Sequence, residues 1–183
     1  MGWIFGFLAY ILFHYVVSWV LKKTMKLEIM TGGDEMWFLD DTRNCHNIIA
    51  YHRYEKITDI DAFRQTMMDR VCIFPRLKSK VVKAFGKFMF KEMPDQEVRD
   101  KVDDYMPVID GIHDEKALAD CMALQQSSRL PLSGTQWRLF FVPNYSETES
   151  LFVYKVHHSL ADGIANILFF NDMTDEPKLE GYP

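Results

Sequence analysis

Tyr154-Lys155-Val156-His157-His158-Ser159-Leu160-Ala161-Asp162-Gly163 is the run of this chain whose residue types can do chemistry. Histidine exchanges a proton near neutral pH, so it can take the proton an alcohol must lose when it attacks a thioester carbonyl. At ordinary composition the four fixed letters of HHxxxDG arise by chance in a chain of this length with a frequency on the order of 10⁻⁴. Neighbouring residues of a strand point to opposite faces, so only one of His157 and His158 is expected to face a reacting group. Asp162 is expected to hold the loop through an ion pair with an arginine, with Arg138 as the candidate. Gly163 allows close backbone packing. Singly each residue is ordinary: a lone His is most often a core or surface residue, and Asp162 alone reads as a helix N-cap.

The elements that must position this run follow from periodicity and turn residues. Residues 136–143 and 150–156 are two apolar strands joined by a polar loop, and the pattern predicts an antiparallel hairpin. A helix is predicted over residues 162–171, directly after the motif, and the acidic tail beyond it reads as loop. Upstream, residues 47–54 and 79–84 read as strands, while residues 85–93 are aromatic-rich and of unclear type. Between the two strands, Ile60, Phe63, Met67 and Val71 fall on one face of a helix that Pro75 ends. Thr58-Asp59-Ile60-Asp61 supplies that helix's N-cap signal. Residues 114–129 predict another helix, with Ala117, Leu118, Cys121, Met122 and Leu124 inward. Gly32 and Gly33 break the chain before a short helix carrying Met36, Trp37 and Phe38, with Asp34 expected as its cap. Helices alternating with strand pairs predict an α+β two-layer domain.

The N-terminal end is of another kind. Residues 3–21 carry no formal charge over 19 positions. At ~1.5 Å per residue they span ~28 Å, the thickness of a bilayer's hydrocarbon core. Trp3 and Trp19 lie near the two ends, and Lys22, Lys23 and Lys26 follow at once. The basic flank places the C-terminal body in the cytosol, or in the matrix if the membrane is mitochondrial. A secretory signal would need a basic n-region, a shorter apolar core and small residues at a cleavage site. A mitochondrial presequence would be amphipathic and Arg-rich, and a myristoylation motif would need Ser or Thr where Gly6 stands. A buried core helix is seldom apolar on every face. The expected organisation is therefore an anchor over residues 1–26 and one domain over 27–183. His14, in mid-span, fits a lone helix that tolerates a neutral imidazole or one packed against other membrane helices.

A net charge of −5 provides no electrostatic footprint for nucleic acid. Cys45, Cys72 and Cys121 are odd in number and widely spaced, without a metal-ligand pattern, as expected of buried thiols facing a reducing compartment. No metal and no bound cofactor are expected.

HHxxxDG is also the signature of the wax ester synthase/diacylglycerol acyltransferase family, and further segments resemble that family in the same order. Gly33-Asp34 to Leu39 resembles its opening segment, Phe74-Pro75-Arg76-Leu77 its Pro-Arg-Phe stretch, and Leu130-Pro131-Leu132 through Trp137-Arg138 its approach to the motif strand. Thr135-Gln136 stands where that approach has Pro before Leu-Trp. The resemblance implies an α+β fold: the N-terminal half of a coenzyme A-dependent acyltransferase-like two-layer architecture, whose two similar halves enclose a tunnel. It implies His158 as general base, His157 and Asp162 as mainly structural, and acyl-CoA as co-substrate with a long-chain alcohol or diacylglycerol. The similarity runs from about Thr31 to Asp172, the first half of that architecture.

Two functions remain open at this point. One is a membrane-anchored O-acyltransferase completed by a second half. The other is a non-catalytic accessory or scaffold subunit of a larger membrane complex, for example a mitochondrial inner-membrane assembly. The expected surroundings are membrane lipid and either other membrane subunits or the second acyltransferase half, in the endoplasmic reticulum or the mitochondrial inner membrane.

Overall fold

The computed structural model describes residues 2–39 and 45–161. The helix expected over residues 162–171, and with it Asp162 and Gly163, lies outside the described residues.

The chain opens with α1 (Gly2–Met25), none of whose residues is buried and which is long and apolar enough to cross a membrane. Lys26 turns the backbone in the left-handed region at φ 54°, and β1 (Leu27–Ile29) starts at the next residue. Helix α2 (Gly32–Met36) runs into a 3-10 turn, Trp37–Leu39. Its cap is Thr31, not Asp34: the Thr31 side chain accepts from the Asp34 N–H, and the Asp34 carboxylate accepts back from the Thr31 N–H at 3.4 Å. Asp34 thus occupies the third helical position of a capping box, where an acid serves the cap residue.

After β2 (Asn47–Glu55), α3 (Ile60–Ile73) begins at Asp59, whose carboxylate accepts from the Ala62 N–H. It stops where Pro75 forces Phe74 into extended backbone. Then come β3 (Ser79–Ala84) and β4 (Lys87–Glu92), a hairpin closed at Phe85 and Gly86, both at positive φ. Two short helices that the sequence reading left out follow, α4 (Asp95–Arg99) and α5 (Val102–Tyr105); at four or five residues neither carries a readable period. Helix α6 (Glu115–Ser127) precedes β5 (Trp137–Val142) and β6 (Glu149–His157).

The strands form two antiparallel three-stranded sheets, ordered β1-β4-β3 and β2-β6-β5. In the second, β6 lies in the middle, Val156 opposite both Ile48 and Trp137. Its alternate residues feed two cores. Phe152, Tyr154 and Val156 pack with Met67, Met68 and Val71 of α3 and with Val81 and Phe90 of the first sheet. Leu151 and Val153 pack with Leu118 of α6, Ile112, Phe140 and Val142. Phe152 also stacks on Phe63 and Phe141, with ring centroids 4.5 and 4.7 Å away. Leu124, expected inward, is 65% exposed. It lies six residues beyond buried Leu118, a rotation of about 240° around the helix.

Phe152→Ala is therefore expected to cost about 3–5 kcal/mol of stability, the range for deleting a buried aromatic ring. Leu124→Asp is expected to shift stability by no more than about 0.5 kcal/mol. Chemical denaturation of the detergent-solubilised chain, followed by tryptophan fluorescence, measures both.

Candidate functional site

The two histidines emerge where β6 ends, and both neighbouring strands hold them. The His157 N–H donates to the Gln136 carbonyl at 2.9 Å, just before β5, and the His158 N–H donates to the His46 carbonyl at 2.8 Å, just before β2. The chain then turns, as the Leu160 N–H donates back to the His157 carbonyl at 2.9 Å.

His157 is 3% exposed. Its Nδ1 lies 2.7 Å from the Ser159 hydroxyl, and its ring stacks on Phe38 with centroids 4.6 Å apart. Phe38 in turn stacks on Phe88 of β4, so this side chain is wedged between the two sheets. His158 is half-buried, its ring stacked on the indole of Trp37 at 3.9 Å. Its buried Nδ1 has no hydrogen-bond partner among the described residues.

The strand alternation separates the two rings, but only onto successive residues of one 3-10 turn, Trp37 and Phe38. His46 completes the group. Its Nδ1 lies 3.0 Å from the Trp37 carbonyl, which can only accept, so this nitrogen carries the proton. Its ring meets the indole edge at 5.3 Å.

Trp37 and Phe38 were read from the sequence as apolar helix residues and not as a platform for the histidines. His46 and Ser159 gave no signal, because their roles depend on pairings made across the fold.

Beneath the motif lies a second feature. Lys155 on β6 is 2% exposed and stands opposite Arg138 on β5. The Lys155 ammonium donates to the Ser128 carbonyl at 2.6 Å and to its hydroxyl at 2.7 Å, at the C-terminal end of α6 where carbonyls lack helical partners. Asn47 grips the same end, its amide donating to the Gln126 and Ser128 carbonyls. The Arg138 guanidinium donates to the Thr135 and Trp137 carbonyls and lies 4.9 Å from the Tyr105 ring centroid. Among the described residues no ion pair joins either cation to a carboxylate, and the expected partner of Arg138, Asp162, lies outside them.

Burial disfavours the charged form of both cations. It brings Lys155 down to about 8, with the Arg138 charge adding to the effect, and it also lowers Arg138. A lysine interrupting an apolar strand was the sequence signal available for this feature.

No group of three His, Cys, Asp or Glu side chains among the described residues could hold a metal ion.

Lys155 makes a signed prediction. Below about pH 8 the amine is protonated in the folded and unfolded states, and the folded state bears the full cost of a buried ammonium. Between about 8 and the ordinary lysine value the unfolded chain binds more protons, so stability rises with pH. Wild-type stability relative to Lys155→Met should improve by about 1–2 kcal/mol from pH 7.5 to 9.5. Using the difference between variants removes the opposing contribution of Cys72 and Cys121, whose thiols burial pushes upward. Denaturation midpoints at the two pH values check it.

No family model matches this chain, and no curated protein matches it. Solved structures do. The X-domain from teicoplanin biosynthesis superposes with a TM-score of 0.65 at 17% identity, covering 79% of this chain and 31% of that one. The starter condensation domain of rhizomide synthetase gives 0.63 at 15%, covering 80% and 36%. The wax ester synthase/diacylglycerol acyltransferase from Marinobacter aquaeolei VT8 gives 0.60 at 14%, covering 85% and 40%. The chain thus spans between about a third and two fifths of the length of these proteins. Its fold is one half of the architecture shared by coenzyme A-dependent acyltransferases and condensation domains.

Proposed function

We propose that this chain is the N-terminal half of a membrane-anchored O-acyltransferase of the wax ester synthase/diacylglycerol acyltransferase kind, with His158 as the general base. The observation that carries this reading is the placement of the HHxxxDG histidines. They leave the central strand of an acyltransferase-like half-fold, with His157 locked between the sheets and the His158 ring half-buried on Trp37. A ring held on an indole face keeps its orientation, as a base serving a fixed reaction geometry requires.

In this reading an acyl-CoA thioester and a long-chain alcohol or diacylglycerol meet at His158. The hydroxyl oxygen attacks the thioester carbon as its proton passes to the imidazole. The tetrahedral intermediate collapses, the carbon–sulfur bond breaks, and the departing coenzyme A thiolate takes the proton from His158, leaving ester and free thiol. In the same reading His157 and Asp162 are mainly structural, and Gly163 allows close backbone packing. In this reading a second half completes the site, closes the tunnel and excludes water. Helix α1 anchors the domain as a single span, with the site on the cytosolic or matrix side.

A chain spanning about a third to two fifths of the length of the similar structures also suits a second reading, in which the half-fold is a non-catalytic subunit of a membrane assembly. Turnover separates the two. The detergent-solubilised chain alone, given labelled acyl-CoA with hexadecanol or diacylglycerol, is expected to form no ester. Activity should appear only with the partner that copurifies with it. In the active assembly, His158→Ala should lower ester formation roughly 10²-fold or more. His157→Ala should chiefly lower the unfolding temperature. Full activity of the His158 variant would reject the mechanism, and an assembly that never forms ester would leave the scaffold role.

A further inference from the structure

We propose that the end of α3 and the turn after it, residues 73–76, form a second membrane contact, lying on the headgroup layer of the bilayer that α1 enters. The inference rests on reading α1 as a span and is independent of the acyltransferase chemistry.

Two ion pairs fix this turn beside the base of α1. Glu28 on β1 accepts from Lys22 at 2.9 Å and from Arg76 at 2.7 Å. Its carboxyl is held below the usual range, with burial opposing the two cations. Arg76 reaches on to Asp34 in α2 at 3.3 Å. Lys22, Lys26, Pro75 and Arg76 line one cavity. Only Lys26 separates α1 from β1, so there is little slack through which the domain could lift from the end of the span. If Lys22 and Lys23 mark the level of the headgroups, the turn beside them lies at that level.

The side chains of α3 agree. Its exposed positions are Asp61, Ala62, Gln65, Thr66, Asp69 and Ile73. This stripe is polar apart from Ala62 until its last residue, where Ile73 is 68% exposed. A single exposed aliphatic side chain is ordinary on a protein surface; what distinguishes Ile73 is its place, three residues before Arg76, which Glu28 ties to the base of α1. Met25, at the end of α1, is likewise 52% exposed. Lys23 and Lys26, exposed at the end of α1, suit anionic headgroups.

The test uses the full chain in lipid nanodiscs of phosphatidylcholine with phosphatidylglycerol. Nitroxide labels are placed one at a time through Ile73→Cys, Gln65→Cys and Leu12→Cys, in a background with Cys45, Cys72 and Cys121 replaced by Ala. Collision with oxygen and with a water-soluble nickel chelate reports depth. Gln65 shares the stripe but lies eight residues earlier, roughly 12 Å along the helix. The expected result is Leu12 deep in hydrocarbon, Ile73 at headgroup depth with at least a threefold lower nickel accessibility than Gln65, and Gln65 in water. Equal nickel accessibility at Ile73 and Gln65, with Leu12 deep, would overturn the second contact and leave the span standing. Leu12 in water would overturn both.

Discussion

The double burial of β6 is the constraint on which the rest of the molecule depends. From Ser150 to His157 every side chain of this strand is buried, and both of its edges are paired. A strand in that position has no freedom of register. A slip of one residue would exchange Phe152, Tyr154 and Val156 with Leu151 and Val153 between two differently shaped cores. The same ladder sets where His157 and His158 leave the sheet, so the packing of the two apolar cores fixes the place of two polar side chains. Backbone bonds from the histidines to Gln136 and His46 carry this register one step beyond the strand.

The charges around β6 run against that stability. Arg138 and Lys155 are opposite neighbours on paired strands, Lys155 buried and Arg138 half-buried. Like charges in that arrangement are unfavourable, and burial adds to the cost. What offsets it is a set of backbone carbonyls: the end of α6 for Lys155 and the Thr135–Trp137 segment for Arg138.

A chain of ion pairs ties the loop to the base of α1. Lys22, Glu28, Arg76 and Asp34 link in turn, and Asp34 lies three residues before Trp37, the platform under His158. The histidine site and the apolar helix are thereby parts of one connected frame.

The sequence by itself determined the elements whose signals are local. Charge-free residues 3–21 gave the long exposed helix, Pro75 and the N-cap residues gave α3, and two apolar runs joined by a polar loop gave the β5–β6 hairpin with HHxxxDG at its end. These follow from backbone sterics and periodic burial within a few turns of chain. Only tertiary structure decided what touches the motif. Trp37 and Phe38 lie some 120 residues before the histidines that rest on them, and the short β1, α4 and α5 exist because neighbouring elements pair or pack with them. The exposed side of α6 was settled by which face met Phe140 and Leu151, and so Leu124 lies outward. Contacts at long sequence separation are chosen by the shape of the whole core, and no short window of residue types contains that information.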